Sequence, residues 1–193
     1  MELPDVKIKQ KPIKKETAVG IDTGIKTFAT LSDGTEIKNP KHLKSNLQRL
    51  KVLSKRVSRK VKGSNNRKKS VKNLAILHER IANQRLDFLH KTTTAIAKQY
   101  DTAIVENLNI AGMLKNKKLS QSIADLGLGR FYSLLEYKMQ ERGGNYIEIG
   151  RFEPSSRLCT CGIINKELTL SDRTWTCKSC GTTHDRDLLA AKN

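Results

Sequence analysis

AVGID (Ala18 to Asp22) is a short apolar run ending in an acid, and Thr23-Gly24 separates it from IKTFATL (Ile25 to Leu31), in which Ile25, Thr27, Ala29 and Leu31 alternate with their neighbours. Two such runs joined by a tight glycine turn read as an antiparallel hairpin. Ser32-Asp33-Gly34 is a second turn signal, and TEIK (Thr35 to Lys38) returns from it as a third strand. TAIVEN (Thr102 to Asn107) is another short apolar run with an acid near its end, and reads as a buried strand. NYIEIG (Asn145 to Gly150) is a further strand. The expected fold class is α/β, with a mixed sheet.

Between the third and fourth strands the period changes. Leu43, Leu47, Leu50, Val57 and Val61 recur at threes and fours, and so do Leu74, Leu77, Ile81, Phe88 and Ile96 after the break at Gly63-Ser64-Asn65-Asn66. Residues 41–99 therefore read as a long helical hairpin. A later stripe, Phe131, Leu134, Leu135, Lys138 and Met139, predicts another helix that Gly143-Gly144 ends. The first sixteen residues are Lys-rich with Pro4 and Pro12 and show no period, which reads as an extended leader.

The chain has 193 residues with 37 Lys or Arg against 19 Asp or Glu, a formal charge of +18. That length suits one domain with a small appendage, and an excess of this size implies a polyanionic partner, nucleic acid first. The charge is concentrated: fourteen Lys or Arg fall between Lys38 and Lys72, and no Asp or Glu lies between Glu36 and Glu79. Solvated helix faces normally mix signs and this one does not. Arg56, Arg59, Lys60, Lys62, Arg67, Lys68 and Lys69 flank the helix break and are candidates for a phosphate track. With only nine aromatic residues, a base-stacking platform is not expected. No run approaches the length of a membrane span, and the start lacks the apolar core of a signal peptide. The expected location is the cytoplasm, at the nucleoid, with no membrane partner.

Asp22 and Glu106 end the first and fourth strands, 84 residues apart. If the fourth strand pairs beside the first, both carboxylates sit at neighbouring strand ends, where they repel unless a divalent cation such as Mg²⁺ lies between them. A third acid is available in HDRDLLAAKN, from Asp185 or Asp187. In a helix starting there, Ala190 and Ala191 share the face of Asp187, while Asp185 points about 200° away. The small alanines let that face approach a sheet, which favours Asp187 as the ligand and leaves N-capping as the structural role for either acid.

Cys159-Thr-Cys161 and Cys177-Lys-Ser-Cys180 form two chelating pairs separated by fifteen residues. In a cytoplasmic chain, paired cysteines point to metal before disulfide, and four thiolates on two turns suit tetrahedral Zn²⁺ in a ribbon. The first pair is one residue short of the usual spacing, which brings His184 into view as a replacement ligand.

GIDTG around Asp22, IVENLNIAGMLKNKKLS around Glu106, SNNRKK at the hairpin tip, RFEPSS before the cysteines, and CxxCG followed by HDRDxxAAKN together resemble TnpB, the OrfB-type protein of bacterial insertion sequences. The resemblance runs from Thr17 to Asn193. It implies an RNase H-like RuvC nuclease core (17–150) carrying the helical hairpin, a zinc-ribbon target-nucleic-acid-binding insert (151–183) and a final RuvC motif (184–193). It also implies transposon-associated, RNA-guided, metal-dependent cleavage of DNA, with Asp22, Glu106 and Asp187 as catalytic acids using Mg²⁺ or Mn²⁺, and Cys159, Cys161, Cys177 and Cys180 as ligands of a structural Zn²⁺. DNA and a guide RNA are the implied partners. Three departures stand out. Family members resemble chains about twice this length; the first cysteine pair is short; and Leu189 stands where the family pattern DRDxNAA has Asn. They point to a truncated product, either still a nuclease or a catalytically weak nucleic-acid-binding remnant working with a full-length relative or as a homodimer.

Overall fold

Val19 and Ile21 alternate with Gly20 and Asp22 along the first strand, β1 (Ala18–Thr23), so one face is apolar and the other carries the acid. The computed structural model describes residues 9–150, 154–169 and 172–193. Residues 1–8 of the leader, 151–153 of the RFEPSS motif and 170–171 of the cysteine segment lie outside them. β1 pairs antiparallel with β2 (Thr27–Leu31), Ile21 opposite Leu31, and β2 pairs antiparallel with β3 (Glu36–Lys38). On its other side β1 pairs parallel with β4 (Thr102–Glu106), which pairs parallel with β5 (Asn145–Ile149). The result is a mixed five-stranded sheet in the order β3-β2-β1-β4-β5, the α/β architecture that the strand pattern predicts.

Two compact units divide the chain. The first takes the described residues up to Asn39, Thr93–Asn109 and the described residues from Tyr132 onward; the second takes Pro40–Thr92 and Ile110–Phe131. In the first unit Val19, Ile21, Phe28, Leu31, Ala103 and Val105 of the sheet are buried. So are Ile96 near the end of α2 (Asn65–Gln99) and Leu134, Leu135 and Met139 of α5 (Leu128–Glu141). The described part of the leader is tied down rather than free: the Lys11 amide donates to the Gly143 carbonyl at 2.7 Å and Lys11 Nζ meets Asp101 at 2.7 Å. A 3-10 turn at Lys15–Thr17 then leads into β1.

In the second unit Leu50 of α1 (His42–Ser58) packs with Leu77 and Ile81 of α2, flanked by Leu43, Leu53 and Leu74. This is the apolar seam read from the periodicity, with one correction. Val61 lies beyond the end of α1 and is 78% exposed, because the helix stops at Ser58. The segment around Gly112 and Gly127 also holds two short helices that the pattern did not suggest, α3 (Ile110–Leu114) and α4 (Ser120–Leu126). α4 buries Ile123 and Leu126 and supplies what α1 lacks. The N-cap of α1 is Lys41, with no capping side chain, and the Asp125 carboxylate accepts from the Leu43 amide at 2.9 Å while pairing with Arg85 at 3.1 Å.

The cysteine segment holds a small hairpin of β6 (Thr174–Thr176) and β7 (Thr183–Asp185), with Trp175 opposite His184. The last helix, α6 (Arg186–Lys192), follows directly. Seven residues are too few for independent stability, so packing must hold this helix. Leu189 and Ala191 are buried. No helix of the described residues is long and apolar enough to cross a membrane.

Candidate active site and metal centre

The parallel register sets Gly20 opposite Ile104 and Ile21 opposite Val105, where it ends, and Asp22 and Glu106 are the next residues of the two strands. Paired residues in a sheet share a face, so Gly20, Asp22, Ile104 and Glu106 line one side of it. That side receives α6. A cavity of about 20 Å³ lies between, lined by Asp22, Glu106, Ala190 and Ala191 among others. In the HDRD motif the two acids divide. Asp185 is the N-cap of α6, its Oδ1 accepting from the Leu188 amide at 3.0 Å. Asp187, one turn before Ala190 and Ala191, pairs with Arg173, and its charge is among those that raise the Asp22 carboxyl.

Burial pushes the Asp22 carboxyl up to about 7, and the neighbouring charges of Asp187 and Glu106 add to the rise; Arg186 and the Thr23 amide offset it in part. Glu106 is raised by burial as well. Near neutral pH, Asp22 is thus poised between its protonated and charged forms. Asp187 is meanwhile held by Arg173 at 3.2 Å. Partly exposed carboxylates that repel one another and present only oxygen donors fit Mg²⁺ or Mn²⁺.

Two residues on the opposite face of the sheet carry no local sequence signal. Tyr132, in the body of α5, places its hydroxyl 2.8 Å from Thr23 Oγ1. Burial and the charges of Glu106, Asp22 and Glu148 raise its phenol to about 12, although the bond to Thr23 lowers it. Glu148 of β5 accepts from Asn107 at 2.8 Å and from the Tyr146 hydroxyl at 3.1 Å. Neither falls in a motif, and only the tertiary fold brings them here.

The four cysteine sulfurs lie within 4.8 Å of one another, and among the described residues this is the one such group of three or more His, Cys, Asp or Glu. The acids are not drawn together as tightly. Each cysteine pair sits on a turn closed by a left-handed glycine, Gly162 at φ 87° and Gly181 at φ 72°. The Gly162 amide donates to the Cys159 carbonyl and the Gly181 amide to the Cys177 carbonyl. The short first pair therefore still converges with the second. Cys159 and Cys180 sulfurs are 3.5 Å apart and Cys161 and Cys177 are 3.7 Å apart. Four ligands at the usual Zn–S distance define a tetrahedron with edges of about 3.8 Å, so the spacing suits a thiophilic metal. The Thr182 hydroxyl and amide pull Cys180 down to about 6, and the amides of Cys180 and Ser179 lower Cys177. The Ile163 amide also lowers Cys161, but hydrogen bonding with the other sulfurs and burial outweigh it and push that thiol up to about 12. His184 does not replace a cysteine in this group. Its Nε2 lies 3.0 Å from Cys159 Sγ and its ring packs against Trp175, with centroids 4.9 Å apart.

Of the seven basic residues flanking the helix break, six are exposed. Arg67 is half-buried and closes the tip by donating to the Val57 carbonyl at 3.1 Å. A groove of about 370 Å³ along the hairpin gathers Arg56 with Arg49 and Arg80 over Leu53, Ile76 and Leu77.

The family model OrfB_IS605, described as a probable transposase, matches residues 2–117. The chain belongs to the OrfB_IS605 family. The TnpB resemblance of its motifs is thereby borne out. A second model, the Cas12f1-like TNB domain, matches residues 129–193 of this OrfB_IS605 chain. A protein of Streptomyces pristinaespiralis designated "Putative RNA-guided DNA endonuclease" is 46% identical over 177 residues, covering 91% of this chain and 44% of the relative. InsQ of Escherichia coli K12, with the same designation, is 35% identical over 190 residues, covering 91% of this chain and 47% of its own. The OrfB_IS605 chain thus spans about half the length of the curated relatives it matches. Among solved structures, a CRISPR-Cas12f ternary complex aligns with TM-score 0.65 at 20% identity, over 99% of this chain and 40% of the other. The mixed α/β fold of this OrfB_IS605 chain is therefore shared with Cas12f.

Proposed function

We propose that this chain is the RuvC-type nuclease half of an RNA-guided DNA endonuclease, cutting DNA phosphodiester bonds with Asp22, Glu106 and Asp187. The observation that supports the reading is that Asp22 and Glu106, each one residue past the last β1–β4 pair, line one cavity beneath α6, the helix that carries Asp187. In this reading the three carboxylates hold Mg²⁺ or Mn²⁺. Those cations, when bound, activate water and stabilise the leaving 3′ oxygen. Asp22 and Glu106 would hold the cations from the ends of β1 and β4 and Asp187 from α6, with Arg173, now paired with Asp187, beside them. Cys159, Cys161, Cys177 and Cys180 hold a structural Zn²⁺ in a target-nucleic-acid-binding ribbon. Arg56, Arg59, Lys60, Lys62, Lys68 and Lys69 contact phosphates of the DNA or of a guide RNA, and Arg67 holds the tip from which they project. The protein works at the nucleoid.

The test is cleavage of labelled single- and double-stranded DNA with Mg²⁺ or Mn²⁺, comparing the chain with Asp22→Ala. Metal-dependent product that disappears in the variant supports the nuclease reading. The Arg173–Asp187 ion pair favours a second reading, a nucleic-acid-binding protein whose third acid stays neutralised. Salt-sensitive binding without product from either chain would favour that one.

A further inference from the structure

Asp22 and Thr23 close β1 under unequal support. Toward β2 the register continues through Thr23 opposite Ala29, but toward β4 it stops at Ile21 opposite Val105. The strand end that carries the central acid is therefore paired on one side only, and α6 covers the face on which Asp22 lies. Alternation along the strand sends Thr23 to the opposite face. There α5, anchored by the buried Leu134, Leu135 and Met139, presents Tyr132, whose hydroxyl lies 2.8 Å from Thr23 Oγ1. The same ring stands within electrostatic reach of Asp22, Glu106 and Glu148.

We propose that Tyr132 is a positioning residue of the acid centre, tethering the end of β1 through Thr23 and so fixing the direction in which Asp22 presents its carboxylate. This rests on the reading that Asp22, Glu106 and Asp187 hold divalent cations. Tyr132 acts from behind the sheet and touches neither the cation nor the substrate. Its tether links residues 109 positions apart, so a rigid helix sets the position of a strand end that the sheet leaves half supported.

Mn²⁺ binding to the full chain tests this, followed by the loss of the free-ion paramagnetic resonance signal after the cysteine cluster has been saturated with Zn²⁺. The variants are Tyr132→Phe, Thr23→Val, their combination, Thr23→Ser and Asp22→Asn. A neutral hydrogen bond corresponds to about three- to tenfold in an equilibrium constant. Tyr132→Phe and Thr23→Val should each weaken Mn²⁺ binding by about that factor, with the double variant no weaker than the worse single one. Thr23→Ser, which keeps the hydroxyl, should bind as the parent does. A merely structural loss would lower thermal stability and leave the Mn²⁺ affinity of the folded protein unchanged. Unchanged affinity in Tyr132→Phe and Thr23→Val, with binding lost in Asp22→Asn, overturns the tether and leaves the acid centre standing. So does a double variant whose loss is the product of the two single losses. Binding untouched by Asp22→Asn overturns the acid-centre reading itself, and the tether with it.

Discussion

A β carbon on Gly20 would lie 1.8 Å from the carbonyl oxygen of Ala191, so β1 and α6 meet backbone to backbone. No side-chain rotation relieves that contact, because the opposing atom belongs to the main chain. Gly20→Ala should push α6 off the sheet and carry Asp187 away from Asp22. Overpacking of this kind costs about 1–3 kcal/mol, enough to lower the melting temperature by several degrees in a chain of this size. Cleavage should fall far more than stability does, at least a hundredfold. Activity near the parent level would show that α6 need not seat so closely.

The acid centre should make the metal-free protein less stable as pH rises. The Asp22 carboxyl titrates at about 7 when folded against an ordinary 3.8, so between those values the folded state holds a proton that the unfolded state has released. The resulting stabilisation is complete below about pH 4 and is lost as pH climbs through 7. Asp22→Asn removes the burden. In chelator at pH 8 the variant should be more stable than the parent by roughly 2–4 kcal/mol, and at pH 4 the two should coincide. Thermal melts across that range decide it, and a variant less stable than the parent at pH 8 would contradict the electrostatic account. Added Mg²⁺ should raise the parent's melting temperature more at pH 8 than at pH 5.

Asp185 and Asp187 are two residues apart and should fail differently. Asp185→Ala removes the helix cap and should cost about 0.5–2 kcal/mol, while cutting persists at a level that cooling restores. Asp187→Asn frees Arg173 and relieves repulsion on Asp22, so it should leave stability equal or higher while abolishing metal-dependent cleavage. Paired melts and rate measurements separate the two. Full cutting by Asp187→Asn would transfer the third-acid role elsewhere.

Leu189 explains one departure from the family pattern. It is buried with Cys159, Leu168, Trp175 and Cys177, in one cluster with two of the four clustered cysteines. The helix that carries Asp187 is thereby plugged into the cysteine segment. Cys161→Ser should therefore reach beyond its own site. Besides weakening Zn²⁺ retention, it should lower Mn²⁺ affinity at the acid centre several-fold, as Leu189→Ala should with Zn²⁺ still bound. Metal analysis together with Mn²⁺ titration checks both, and an acid centre indifferent to either change would show that α6 is held by the sheet alone.

Much of this site was legible because its residues obey local periods. Short apolar runs closed by an acid placed Asp22 and Glu106 at strand ends, and the helical step set Asp187 rather than Asp185 on the face with the alanines. Other parts depend on partners remote in sequence and have no local trace. Asp125 caps a helix 82 residues before it, and Tyr132 reaches a threonine 109 positions away. The strands of the cysteine hairpin have only three residues each, too few for alternation to stand out, and are fixed by cross-strand pairs such as Trp175 with His184. Val61 continued the apolar period past the end of its helix, since a repeat in sequence does not show where the backbone stops turning.

The β1–β4 register has a kinetic consequence. The four cysteines lie within one short stretch of chain, so their cluster can form from nearly local contacts. Pairing Ile21 with Val105 closes a loop of 84 residues, and the third carboxylate waits for α6 to dock as well. Loop-closure entropy and contact order place such pairings late in folding. A partly folded chain can thus gather its four cysteines while its carboxylates are still scattered, so on the proposed reading the cutting site is the last to assemble.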